Sequence, residues 1–129
     1  MQPKILTLNS NDGLPNDQIH KIASDSYGRL WLPGPSGISF YNGNKIKVFD
    51  TQNSLDCPGL RTVTISKNQT IWIGTDQGIE ALKIDGSKIK LHLNFNWNFG
   101  IAESIFIDDN TIWIGTSYGL IKLENNNFN

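Results

Sequence analysis

Thr70-Ile71-Trp72-Ile73-Gly74-Thr75 and Thr111-Ile112-Trp113-Ile114-Gly115-Thr116 are one hexapeptide written twice, 41 residues apart. The same interval upstream stands a divergent copy, Arg29-Leu30-Trp31-Leu32-Pro33-Gly34. Six residues after each tryptophan comes a glycine followed by a branched apolar residue: Gly37-Ile38, Gly78-Ile79 and Gly119-Leu120. Register therefore holds on both sides of a turn, and the chain is built from three copies of one unit. A period near 40 to 45 residues made of short apolar runs is the size of a four-stranded propeller blade, and no face of helical periodicity competes with it.

Within unit one the strands are expected over Gln18 to Ser24 (A), Arg29 to Pro33 (B), Gly37 to Tyr41 (C) and Lys45 to Phe49 (D). Unit two repeats them at Thr62 to Ser66, Thr70 to Thr75, Gly78 to Ile84 and Lys88 to Leu93, and unit three at Glu103 to Ile107, Thr111 to Thr116 and Gly119 to Leu123. The intervening Asp25-Ser26-Tyr27-Gly28, Asn42-Gly43-Asn44 and Asp85-Gly86-Ser87 have the composition of tight turns. Unit three shows no fourth strand, whereas Lys4-Ile5-Leu6-Thr7-Leu8 precedes the first strand A as the D strands precede the later ones. The expected organisation is a single domain over 1–129: an outer strand over 1–8 completing a blade, repeats over 9–49 and 50–93, and a third repeat over 94–129 without its outer strand. The fold class is all-β, a β-propeller segment of three four-stranded antiparallel blades, closing with other copies or as part of a longer propeller.

Composition agrees with this and excludes several functions. Eleven Lys+Arg against twelve Asp+Glu leave a net charge of −1, which is not the basic footprint of a nucleic-acid binder. No apolar run approaches the roughly 20 residues of a membrane helix, and Met1 to Leu8 lacks the apolar stretch of a signal peptide. Cys57 is the only cysteine, so no internal disulfide framework exists. His20, His92 and Cys57 stand on separate segments without metal-ligand spacing, and Ser36 in its glycine turn lacks the context of a hydrolase nucleophile. No metal, cofactor or catalytic residue is expected.

Gly13-Leu14-Pro15-Asn16, Asp25-x-x-Gly28-x-Leu30-Trp31 and Gly37-Ile38-x-Phe40-Tyr41-Asn42-Gly43 resemble the two-component regulator propeller repeat. Pro33-Gly34-Pro35 in place of Gly-Thr, and Cys57-Pro58-Gly59-Leu60, which only partly echoes Gly-Leu-Pro, depart from it. The resemblance implies the sensor propeller of bacterial hybrid histidine kinases and related receptors: a non-enzymatic, periplasmic sensor or binding segment. Without a signal peptide in the chain, a cytoplasmic setting is the alternative. A self-assembling structural unit without ligand is the competing function, and a lyase resembling streptogramin lyase is the weakest, since only two histidines are present.

Trp31, Trp72 and Trp113 sit mid-strand between branched residues and are expected to pack between blades. Trp97, in Asn94-Phe95-Asn96-Trp97-Asn98-Phe99, lies outside the period and reads either as an extension of strand D or as an aromatic platform. Alternating strand directions send the B-to-C and D-to-A connections to one face. Long loops on a rigid scaffold are where recognition concentrates, so Trp97, Tyr118, Arg61, Asp76 and Asp17 are the candidate ligand-binding residues, suited to a carbohydrate or peptide. Merely linking the blades is the competing role of these loops. Three blades leave apolar faces uncovered, so the expected partner is the chain itself, as a homodimer of six blades or a homotrimer of nine.

Overall fold

The computed structural model describes residues 4–91 and 96–124. Eleven strands occur there: β1 (Ala23–Ser24), β2 (Leu30–Gly34), β3 (Gly37–Tyr41), β4 (Ile46–Phe49), β5 (Leu60–Ile65), β6 (Ile71–Thr75), β7 (Gly78–Leu82), β8 (Lys88–Ile89), β9 (Ala102–Asp108), β10 (Thr111–Thr116) and β11 (Gly119–Glu124). They form three antiparallel sheets, β1-β2-β3-β4, β5-β6-β7-β8 and β9-β10-β11, each in chain order. The repeat is thus a sheet, and its tryptophan occupies the second strand every time.

Register follows the two-residue periodicity of a strand. Trp31 pairs with Phe40, Trp72 with Ala81 and Trp113 with Lys122, while the turn glycines close the B–C hairpins through Gly34↔Gly37, Thr75↔Gly78 and Thr116↔Gly119. Because alternate residues face opposite sides, each sheet has a tryptophan face and a back face. Sheet one lays Trp31, Ile38 and Phe49 against Leu60, Val63, Ile71 and Ile73 on the back of sheet two. Sheet two lays Trp72 and Ala81 against Ala102, Ile105, Ile112 and Ile114 on the back of sheet three. Trp31 and Trp72 are buried between sheets, and Trp113, for which the described residues provide no following sheet, is half-buried with the Lys122 ammonium 5.5 Å from its ring.

Several boundaries differ from the sequence reading, and strand A of unit two runs Leu60–Ile65 rather than Thr62 to Ser66. Strand A of unit one is confined to Ala23–Ser24, because Gln18–Ile22 has no described sheet behind it and Ile22 stays exposed. Strand C of unit two stops at Leu82, where Lys83 and Ser87 begin a turn closed by Lys83 N–H to Ser87 O at 2.8 Å and Gly86 N–H to Lys83 O at 2.8 Å. Strand D of unit two pairs only at Lys88–Ile89, and its expected end, His92 and Leu93, lies outside the described residues. Lys4–Leu8 has no ladder partner among the described residues.

Candidate functional site

The antiparallel order places the B–C hairpins and the D–A connections at one end of the sheets. Two hairpins are braced identically. Thr75 Oγ1 accepts the Gln77 N–H at 3.1 Å and donates to Gly78 O at 3.1 Å, and Thr116 Oγ1 does the same with Tyr118 N–H at 3.1 Å and Gly119 O at 2.8 Å. In unit one Gly34 replaces the threonine, and the Asn16 amide occupies the space a side chain would fill there, with its Oδ1 accepting from Ser36 Oγ at 3.3 Å. The departure Pro33-Gly34 is therefore compensated by Asn16 of the preceding connection.

Four of the five expected binding residues lie along the hairpins of the second and third sheets. Arg61 Nε donates to Asp76 Oδ1 at 2.5 Å, and this contact holds the guanidinium above its usual basicity. The Asp76 backbone N–H in turn donates to Gly59 O at 2.9 Å. Two residues further, Gly78 is covered by the Trp97 ring. Trp97 is half-buried; its indole N–H donates to Gly100 O at 2.7 Å and its ring meets Phe99 edge-on with centroids 5.3 Å apart. Of the Asn94–Phe99 run, Asn94 and Phe95 lie outside the described residues.

Tyr118 is 77% exposed and rests beside Gly100, where an added Cβ would lie 3.2 Å from its ring. Gly100 thus joins Trp97 to Tyr118. Asp17 belongs to unit one: its carboxylate accepts the Ser10 N–H at 2.7 Å, which holds its pKa below the ordinary value. This end therefore offers an exposed phenol, an exposed ion pair and a tryptophan whose donor is already committed.

Sequence reasoning missed two buried polar centres. Asp25 collects the Trp31 indole N–H at 2.9 Å, Arg29 Nε at 2.7 Å and the backbone N–H groups of Tyr27 and Arg29 at 2.9 and 3.0 Å. Arg29 also reaches sheet two, donating to Ile84 O at 2.7 Å with its guanidinium 4.5 Å from the Phe40 ring. Asp-x-x-Gly-x-Leu-Trp was visible as a motif, but that its acid carries its own tryptophan and arginine depends on the turn. The second centre is Glu80, buried on the back of sheet two, whose carboxylate accepts the Asp56 and Cys57 N–H groups at 2.8 and 3.0 Å. Its signal was a lone acid between apolar residues of a core strand.

At the opposite end, between the A–B turns of the second and third sheets, lies a cleft of about 480 Å³. Ile65, Trp72, Ile107 and Ile112 line it, with Lys67, Asn68, Asp109 and Asn110 around it. No sequence signal pointed there, since the cleft arises from how two sheets lean on each other.

Three sheets of one period, each with its tryptophan on the second strand and two of them closed by threonine-braced hairpins, have counterparts among known proteins. Residues 13–32 match the family model of the two component regulator propeller. That segment holds the Gly-Leu-Pro turn and the Asp25–Arg29–Trp31 cluster. No curated protein matches the chain. Among solved structures, the extracellular domain of the one component system BT4673 from B. thetaiotaomicron superposes with a TM-score of 0.78 at 16% identity over 96% of this chain. The extracellular domain of the hybrid two component system BT3049 from the same organism gives 0.76 at 23% over 92%. The chain spans 17% of the length of each. At these identities the likeness establishes the fold, a series of propeller blades, and the neighbours are extracellular domains of signalling systems. No helix among the described residues is long and apolar enough to cross a membrane.

Proposed function

We propose that the chain is a non-enzymatic sensor or binding segment, acting outside the cytoplasmic membrane as part of a signalling receptor. The observation that carries this reading is the end formed by the B–C hairpins, where Tyr118 and the Arg61–Asp76 pair are both exposed and the turns of the second and third sheets are threonine-braced. A rigid scaffold that presents aromatic surface together with a cation and an anion suits a carbohydrate or a short peptide, because stacking supplies contact area and the charged groups orient hydroxyls or amides. Trp97 supports the wall rather than offering its N–H, and Asp17 contributes from unit one. Resemblance to the propeller repeat and to extracellular domains of signalling systems supports the placement.

The test is a glycan array and peptide library followed by thermal-shift titration of each hit. A ligand whose stabilisation drops at least tenfold in affinity in Tyr118→Ala and Arg61→Ala supports the site. A ligand bound equally well by both variants moves the site elsewhere, and turnover of any hit replaces the binding reading with an enzymatic one.

A further inference from the structure

We propose that the cleft between the A–B turns of the second and third sheets binds a free amino acid with an apolar side chain. The side chain enters over Trp72 and the isoleucines around it, and the ammonium and carboxylate pair with Asp109 and Lys67 at the rim. That end lies opposite the B–C hairpins, and the two sites are independent.

The lean of these sheets stays open because the filling of the first gap is not repeated in the second. Asp25 and Arg29 stand six and two residues before Trp31. Between the first and second sheets the buried Asp25 side chain accepts the Trp31 indole N–H, while Arg29 lies over the Trp31 and Phe40 rings and donates to Ile84 O at 2.7 Å. The A–B turns on the two sides of that gap are also joined, by Ser26 N–H to Gln69 Oε1 at 2.9 Å. Six and two residues before Trp72 stand the much smaller Ser66 and Thr70, and in the next turn Asn110, one methylene shorter, takes the place of Gln69. The second gap is left with about 480 Å³ of open volume.

That volume is inside the roughly 300–1,000 Å³ of small-molecule pockets, and its lining divides by chemistry. Trp72 and Ile112 form a buried floor with Ile65 and Ile107 half-buried beside it, and Thr64 Oγ1 is committed to Ile105 O at 2.9 Å, tying the two sheets together at the cleft. Charge is confined to Lys67 and Asp109, whose Nζ and Oδ1 are 3.6 Å apart on side chains 95% and 79% exposed. So exposed an ion pair contributes little to stability, and exchanging it for contacts to a ligand costs correspondingly little. A ligand with one charge would satisfy one of these groups and be repelled by the other. A zwitterion whose two charges flank a single carbon satisfies both, and an apolar side chain on that carbon gains by leaving water for the isoleucine and tryptophan surface.

The experiment titrates the whole 129-residue chain with L-leucine and L-phenylalanine, followed by heteronuclear NMR. Saturable shifts are expected at the amides of residues 64–68 and 105–110, with millimolar or tighter affinity; their absence, or saturable shifts only at the Tyr118 end, overturns the proposal. Glycine, which lacks the apolar side chain, is expected to bind at least tenfold more weakly than leucine. N-acetylleucine and leucinamide, each lacking one charge, are expected to bind at least threefold more weakly. Lys67→Gln and Asp109→Asn, both at exposed positions, are each expected to weaken leucine binding at least threefold; asparagine suits the left-handed φ of 50° at position 109. Affinity undiminished in glycine, in either analogue or in either variant overturns the assignment. Glycan and peptide titrations of the hairpin end report on different amides, so failure of one site is distinguishable from failure of the other.

Discussion

Asp25 accepts four hydrogen bonds at the A–B turn of the first sheet, from the Trp31 indole, Arg29 Nε and the Tyr27 and Arg29 backbone. Burial pushes its carboxyl upward, but hydrogen bonds from the Trp31 indole, Arg29 and the Tyr27 backbone outweigh that and hold its pKa below the ordinary value. A carboxylate depressed in the folded state stabilises fully above its unfolded pKa, and the contribution is lost as pH falls through the folded value. Unfolding free energy from urea titrations is therefore expected to decline below about pH 4, and Asp25→Asn is expected to flatten that decline. Asp25→Ala leaves the buried indole N–H and the Arg29 fork without their acceptor, at a cost of about 2–3 kcal/mol at neutral pH. An unchanged denaturation midpoint would show that water replaces the carboxylate without loss.

At the scale of elements, what matters is how a connection is tied to a strand and how closely strands of adjacent sheets approach. Glu80 ties the Asp50–Gly59 connection to β7 through two backbone N–H groups, and desolvation pushes its carboxyl upward. A group raised in the folded state favours folding below its unfolded pKa, and that contribution is lost as pH rises through the folded value. Glu80→Gln is expected to remove this pH dependence while keeping an acceptor, and Glu80→Ala to speed hydrogen exchange at Asp56 and Cys57. Position 39 in sheet one is the contrast: the equivalent side chain is Ser39, buried with its hydroxyl unpartnered among the described residues. Ser39→Ala is expected to leave stability unchanged or raise it by up to about 1 kcal/mol in a urea titration.

Gly74 and Gly115 occupy the same place in the hexapeptide but not the same surroundings. A Cβ on Gly74 would meet the Ala102 carbonyl at 2.5 Å and Thr62 Cγ2 at 2.7 Å, so the second and third sheets would have to part. On Gly115 it would meet only the Ser104 hydroxyl, at 2.6 Å, which can turn away. Gly74→Ala is expected to cost about 1–3 kcal/mol by overpacking, and Gly115→Ala clearly less. Equal losses for the two would mean that close approach of sheets is not why the glycine stands there.

Across the whole molecule, the described residues bury both faces of the first two sheets at their centres, through Leu32 and Ser39 on the back of the first, and leave Phe106 and Leu120 exposed on the tryptophan face of the third. Deleting residues 1–8 removes the exposed Ile5 and Leu6 while leaving all three described sheets intact. The truncated chain is expected to keep its β-sheet circular dichroism and to lose little stability in a urea titration, because Ile5 and Leu6 bury little apolar area. A large loss would show that Lys4–Leu8 packs on the sheets in solution.

Period, strand order and hairpin positions were legible because each depends on neighbours a few residues away: the alternation around Trp31, Trp72 and Trp113, the glycine six residues on, and turn residues between. Local sequence determines such features through backbone sterics and side-chain alternation, so the three copies reported one another. Tertiary structure alone decided where Asp25 and Glu80 spend their hydrogen bonds, why Asn16 fills the space at Gly34, and that the Trp97 indole N–H is committed to Gly100. It also decided that Trp113, identical in sequence to its buried counterparts, is half-buried. Burial belongs to the space between sheets, and a repeat read one unit at a time contains no term for its neighbour.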